Sequence, residues 1–257
     1  MQATNLYHLH FPINITIGNG SLPVHFLCET LAYALGYRYY VYLRKHEKDA
    51  ISDHDRILIF IGAAAGAFIG SHLLGILESP PKLQQMNWVY FMGNTTIIGG
   101  LLGGLLGVEL TKKKIGVKVS SGDLMVYPIA LGMIIGRTGC FLAGLEDGTY
   151  GVASRLPWAI NFGDGVHRHP TNLYEILFWV LLWLVLINFE KKYELANGFR
   201  FKLLMVSYLV FRFFIEFIKP AYFFGFGLSV LQLACLAGLT YYYRVLVYPL
   251  KNFKAYA

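Results

Sequence analysis

Charge is scarce in this chain. Only 14% of the 257 residues are Asp, Glu, Lys or Arg, where a soluble domain carries about 25%. Cysteine is scarcer still. Cys28, Cys140 and Cys235 each fall inside an apolar run, which excludes the disulfide framework of a small secreted domain. There is no low-complexity tract and no convincing internal repeat. The formal net charge of +7 is spread over short segments with no basic domain, so a nucleic-acid partner is not expected. The first 21 residues lack both a basic start and a small-residue cleavage site. A cleaved signal peptide is therefore not expected there, and the first apolar run is expected to stay as an anchor.

What the chain has instead is apolar length. Hydrophobic residues make up 56% and aromatics 16%, and they come in blocks. A helix needs about 20 mostly apolar residues to cross a bilayer. Seven blocks approach that length: 22–43 (LPVHFLCETLAYALGYRYYVYL), 57–77, 95–110 (TTIIGGLLGGLLGVEL), 123–145, 172–189, 201–218 and 228–248. The third is short and rich in glycine, and reads as a tight buried helix or a re-entrant element.

The connecting segments test the count. Cytoplasmic loops are enriched in Lys and Arg. Lysines and arginines are absent from 1–21, then alternate between rich segments (Arg44, Lys45, Lys48, Arg56; Lys112, Lys113, Lys114, Lys118; Lys191, Lys192, Arg200, Lys202; Lys251, Lys254) and poor ones (Lys82; Arg155, Arg168; Lys219). Fourteen fall on one side and four on the other, with Arg38, Arg137, Arg212 and Arg244 inside spans. The expected architecture is an all-α integral membrane protein, a single domain over 1–257 with seven transmembrane helices. Its N-terminus is periplasmic, its C-terminus cytoplasmic, and a periplasmic loop covers about 146–171.

Charges inside a bilayer are costly and mark candidate sites. Arg38 and Arg244 sit near span ends, where long side chains reach the interface. His72 reads as a packing residue. Arg212 and Glu216 are four apart and share a helix face, either as a self-neutralising pair or as an arginine held by its own carboxylate and aimed at an anion. Arg137 has no acid within one turn, so its partner comes from another helix or from a ligand. The guanidinium fork matches phosphate oxygens, and the abundant phosphate of a membrane is a phospholipid head group. Gly62, Gly66 and Gly70, and Gly99, Gly103 and Gly107, repeat every four residues, a spacing that lets helices pack closely in lipid. His167 and His169 have no convincing further ligand in the loop. No metal or other cofactor is expected.

The stretches GRTGCFLAGLEDGTYG (136–151), RHPTNLYE (168–175) and FRFFIEFIKP (211–220), with GGLLGGLLGVEL, GLSVLQL and the entry ITIG followed by VHF, resemble prolipoprotein diacylglyceryl transferases in order and topology. The resemblance spans most of the chain. It implies a seven-span enzyme of the bacterial inner membrane, with its active site facing the outer leaflet. Such an enzyme moves the diacylglyceryl group of phosphatidylglycerol to the thiol of a lipobox cysteine in a preprolipoprotein and releases glycerol phosphate. It further implies catalytic roles for Arg137, Arg212, His25 and His169, and substrate contacts from Gly103, Gly104, Gly139, Cys140, Glu146, Gly151, Tyr174, Glu175, Glu216 and Lys219. The chain departs from the family pattern at four places. Cys140 replaces an asparagine, Leu102 replaces the histidine before Gly103-Gly104 that is a candidate general base, Leu27 replaces a tyrosine, and Ala143-Gly144-Leu145 replaces Asn-Gly-Glu, with Glu146 one place later. The phosphate-handling half of the site is better kept than the half that activates the acceptor. A paralogue with another acceptor, and a lipid-binding or transport protein without turnover, are the alternative readings.

Overall fold

The computed structural model describes residues 11–17, 20–47, 49–78, 87–247 and 253–255. Residues 1–10, Gly18, Lys48, Lys82, Tyr248 and Lys251, used above in placing spans and sides, lie outside the described residues. A helix covers each of the seven apolar blocks: α1 (Val24–His46), α2 (Asp53–Glu78), α4 (Ile97–Ile115), α5 (Val126–Ala143), α6 (Thr171–Glu190), α7 (Phe199–Ile215) and α8 (Val230–Tyr241). Two short helices, α3 (Trp88–Gly93) and α9 (Tyr243–Val247), are additional. The segments Asp53–Glu78, Asp123–Ala143 and Thr171–Glu190 are long and apolar enough to cross a membrane, and Val230–Tyr241 is apolar but shorter.

The expectation of an all-α chain is corrected in detail. Three two-stranded antiparallel pairs accompany the helices: β1 (Asn14–Ile17) with β2 (Gly20–Pro23), β3 (Ile160–Asn161) with β4 (His167–Arg168), and β5 (Tyr193–Leu195) with β6 (Phe253–Ala255). Each is too short to show as alternation in a sequence dominated by helical blocks.

The chain divides into two compact units. The first takes in the segment ending at Leu43, Tyr127–Val185 and Ile218–Pro220; the second takes in Arg44–Val126, Leu186–Phe217 and the segment from Ala221 onward.

In the second unit, α2 and α4 meet backbone to backbone. A methyl group built at Gly66 would overlap the Gly103 carbonyl, one at Gly70 the Gly99 carbonyl, and one at Gly107 the Gly62 carbonyl. The small residues repeated every four positions are therefore the seam itself. The third block is a full 19-residue helix, α4, running past its apolar part into Lys112, Lys113 and Lys114. Thr96 caps its start, accepting from the Gly99 N–H at 3.2 Å, and Gly116 closes it at φ 76°. Glycine adopts that left-handed conformation without a Cβ penalty. At the start of α2, Ser52 Oγ accepts from the Asp55 N–H at 3.1 Å, and Asp53 and Asp55 lie at the positive end of the helix dipole. The loop before α2 is pinned by Asp49, which takes Arg56 Nη2 at 2.7 Å and Arg44 Nε at 2.8 Å. Burial works to raise the Asp49 carboxyl. The hydrogen bonds from Arg56, the Ile51 N–H and Arg44 outweigh it and hold the group below the usual carboxylate range.

In the first unit, α1 and α5 also approach through glycine. Gly139 faces Cys28 and His25, and Gly36 faces the Pro128 carbonyl. Trp179 is fully buried, and Trp183 stacks on Tyr39 with ring centroids 5.9 Å apart. Large apolar side chains remain exposed along α2 (Ile57, Ile61, Phe68, Ile69, Leu73) and α6 (Leu177, Leu181, Leu184, Val185). Apolar surface of that extent is tolerated against lipid and not against water.

Candidate functional site

Arg137 is carried by the last turns of α5 and is 6% exposed at its side chain. Its Nε meets Glu175 Oε2 at 2.9 Å, and Glu175 is 3% exposed. The acid comes from the second turn of α6, so the partner missing within one helical turn is supplied by another helix. Two charges this deeply buried are strongly destabilising unless paired, because each left alone is an uncompensated charge out of water.

From Arg137 the contacts run on through the unit. Arg137 Nη1 is 3.6 Å from Cys140 Sγ, one turn further along α5. Cys140 Sγ is 3.8 Å from His25 Nε2, at the start of α1. The same His25 Nε2 is 3.4 Å from Asp147 Oδ1. The Thr149 hydroxyl donates to the other Asp147 oxygen and is also 2.9 Å from Asn172 Oδ1. Asn172 and Glu175 are one turn apart on α6, so the polar contacts that start and end on that helix run through α5, α1 and the loop after α5. Beside it lies a cavity of about 350 Å³ lined by Pro12, Ile13, Asn14, Pro23, His25, Ala143, Glu146 and Asp147.

The local chain explains this placing. Helix α5 ends at Ala143, and Gly144, at φ 64°, turns the backbone out of the helix. That turn brings Asp147 to His25 and leaves Glu146 exposed on the cavity wall. The acid that meets His25 is Asp147. Of the expected site residues, His25, Cys140, Arg137, Glu175 and Gly139 come together here. Asp147, Thr149 and Asn172 were missed. Only the D-x-T spacing hinted at them, as a side chain able to bond two residues on.

His169 and Tyr174 lie together nearby in sequence. His169 Nδ1 is 3.3 Å from Tyr174 Oη, and Trp158 Nε1 donates to the same oxygen at 2.7 Å. The Gly151 N–H donates to the His169 carbonyl at 3.1 Å, and a Cβ at Gly151 would overlap His169. Gly151 is what allows the loop to pair so closely with the H-P-x-x-L-Y-E stretch. Arg168 holds the loop tip by an ion pair to Asp164 at 2.7 Å. The hydrogen bond from Arg168 keeps the Asp164 carboxyl below its ordinary range.

The second unit has its own buried polar cluster. Arg212 Nη2 meets Glu216 Oε2 at 3.2 Å, with side chains 6% and 1% exposed. Ser229 Oγ donates to Glu216 Oε1 at 3.3 Å. Ser229 also caps α8 in a reciprocal capping box with Gln232, whose side-chain amide donates to the Phe213 carbonyl at 3.0 Å. Ser229 and Gln232 were missed, although S-x-x-Q before an apolar run is a legible capping signal.

The remaining expected residues are placed as follows. Gly103 lies in the α2–α4 seam, and Gly104 faces Ala63 and Ala67 at 3.5 Å. Leu102 packs where a Cβ on Gly238 would meet it and brings no titratable group. Lys219 is half-buried just after the 3-10 turn Glu216–Ile218. Arg38 and Arg244 are exposed. His72 is buried between Phe68 and Phe91, with ring centroids 4.4 and 4.8 Å away, and its ring nitrogens have no hydrogen-bond partner among the described residues.

Comparison with known proteins shows the family. The model of the family described as prolipoprotein diacylglyceryl transferase matches residues 12–248. A phosphatidylglycerol–prolipoprotein diacylglyceryl transferase of Finegoldia magna is 31% identical over 220 residues, covering 81% of this chain and 83% of its own length. One from Clostridium tetani is 30% identical over 184 residues, covering 68% of this chain and 72% of its own length. One from Geobacter sulfurreducens is 34% identical over 166 residues, covering 63% and 60%. A match of this extent, over a chain whose buried arginine–glutamate pairs and cavity lie in the matched region, means that the protein belongs to the prolipoprotein diacylglyceryl transferase family.

Proposed function

We propose that the protein transfers the diacylglyceryl group of phosphatidylglycerol to the thiol of a lipobox cysteine in a preprolipoprotein, releasing glycerol phosphate. The observation that carries this is Arg137, buried, paired with Glu175 and linked through Cys140 to His25 on the cavity wall, in a chain of this family. Arg137 and Arg212 bind the lipid phosphate, and their preorganised N–H groups stabilise the negative charge that grows on the departing glycerol phosphate. Glu175 and Glu216 hold the two guanidinium groups in register. His169 from the loop and Tyr174 from the first turn of α6 position the head group. Gly103, Gly104, Gly139, Cys140, Glu146, Gly151 and Lys219 are the further residues assigned to substrate contact in this proposal.

In this proposal the protein spans the bacterial inner membrane seven times, with the N-terminus periplasmic and the C-terminus cytoplasmic. The loop 146–171 and the active site face the outer leaflet. Reporter fusions at the loops around Ser120, Gly163 and Asn197 test it, with only the middle one expected on the periplasmic side.

The activity is tested by mixing purified protein with phosphatidylglycerol and a lipobox peptide, and following the mass of the peptide and the release of glycerol phosphate. Gain of a diacylglyceryl group by the peptide, together with glycerol phosphate, is the expected result. If neither appears while the Clostridium tetani relative works alongside, the assignment fails. Leu102, which offers no base for the thiol, favours a second reading in that event: the same lipid donor with a different acceptor.

A further inference from the structure

Three side chains of the first unit converge in a way that phosphate binding does not require. His25, Cys140 and Asp147 come from α1, α5 and the turn after it. Their Nε2, Sγ and carboxylate oxygen all lie within 4.8 Å of one another. Cys140 and Asp147 both address the same nitrogen of His25. Three ligand atoms gathered round one point are what a common centre produces.

Two of the three distances fit one kind of centre. A tetrahedral zinc ion with bonds of about 2.3 Å to sulfur and about 2.0–2.1 Å to nitrogen and oxygen separates S from N by about 3.6 Å and N from O by about 3.3 Å. Here Sγ–Nε2 is 3.8 Å and Nε2–Oδ1 is 3.4 Å. The ligand set of one thiolate, one imidazole and one carboxylate suits zinc, and the sulfur disfavours calcium and magnesium, which take oxygen ligands. A dication with one thiolate, one carboxylate and a neutral imidazole carries no net charge, the least costly state at the edge of a membrane. The surroundings orient the ligands. Arg137 Nη1 points at the sulfur from 3.6 Å, and the Thr149 hydroxyl donates to the Asp147 oxygen that does not face His25. Outer contacts of this kind fix metal ligands in place.

We infer that His25, Cys140 and Asp147 form a zinc site whose fourth position, on the side of the cavity that His25 and Asp147 line, takes the thiol of the acceptor. Three protein ligands and one open position are the pattern of a catalytic zinc site. Its role in turnover rests on the transfer reading above. A thiol bound to the ion loses its proton to water, which supplies what Leu102 does not. The sulfur lone pair then forms the bond to the glycerol carbon as that carbon's bond to the phosphate oxygen breaks. Glycerol phosphate leaves with the electron pair, and nothing is oxidised or reduced.

The test uses the full chain purified in detergent. Zinc content is measured by mass spectrometry, and metal-stripped protein is titrated with Co²⁺ while the sulfur-to-cobalt charge-transfer band is followed. One ion per chain and a thiolate band are expected. Cys140→Ser abolishes the band, Asp147→Asn lowers occupancy, and Thr149→Val weakens metal binding about 10- to 100-fold. Thermal unfolding of each variant without metal checks that it is folded. Substoichiometric zinc and no cobalt–thiolate band in folded wild-type protein overturn the site. Full transfer activity in metal-stripped protein overturns its role while leaving the transferase reading intact. Stoichiometric metal without transfer to a lipobox peptide supports the site and removes the transferase reading instead.

Discussion

Replacing Arg137 separates stability from chemistry if it is done in pairs. Arg137→Gln alone leaves Glu175 charged, 3% exposed and without the Nε contact at 2.9 Å. Breaking one partner of a buried pair costs about 3–5 kcal/mol, a large share of a typical stability of about 5–15 kcal/mol. Arg137→Gln with Glu175→Gln removes both charges and leaves two amides able to bond each other. Its stability is expected within about 1 kcal/mol of wild type, since exchanging a buried pair for neutral groups is often near neutral. Transfer should behave differently. Both variants lose the cation that meets the growing phosphate charge, and both should fall about 10²- to 10³-fold, the cost of removing one preorganised donor. Thermal unfolding in detergent reports the first quantity, and the lipobox-peptide mass assay reports the second. If the double variant is stable and transfers within tenfold of wild type, Arg137 does not bind the reacting phosphate. If Arg137→Gln alone is as stable as wild type, the ion pair is not the support described here.

Other parts of the structure make their own predictions. Gly66→Ala or Gly103→Ala drives a methyl into the facing helix backbone and should destabilise by about 1–3 kcal/mol, whereas Gly136→Ala, with nothing within 4 Å of its added carbon, should be tolerated; equal melting temperatures for all three would contradict the seam. Ser229→Ala removes the α8 cap and a donor to Glu216, and should cost about 1 kcal/mol or more; unchanged unfolding would show that the capping box is dispensable. The Asp49 carboxyl is held low in the folded state, so its contribution is complete above its unfolded value of about 3.9 and drains away as pH falls through the lower folded value. Wild type should therefore lose its advantage over Asp49→Asn below about pH 4, and a gap that stays constant from pH 6 to pH 3 would refute that.

The helices were open to reading because their causes are local. Twenty apolar residues in a row, a serine or threonine before them, and Gly116 after Lys112, Lys113 and Lys114 all act within one stretch of chain. The glycines at spacing four announced a close helix contact for the same reason. Their pairing of Gly66 with Gly103 and Gly70 with Gly99 needed the second helix, since a seam depends on register between two elements. The short strand pairs escaped notice because a two- or four-residue strand has no period of its own.

The candidate site divides along the same line. Arg137, Arg212 and Glu216 stood out from sequence because a charge in an apolar run is anomalous wherever it lies, and Arg212 with Glu216 is a pair within one helix. That Glu175 meets Arg137, and that Asp147 meets His25, was decided by the tertiary structure. So was the meeting of His25, Cys140 and Asp147. Residues 25 and 140 become neighbours only when α1 packs on α5 at Gly139, and the acid reaches them only because Gly144 takes a left-handed turn at the helix end. Apolar length and charge spacing are properties of a chain segment. Contact between distant polar groups follows from how the segments pack.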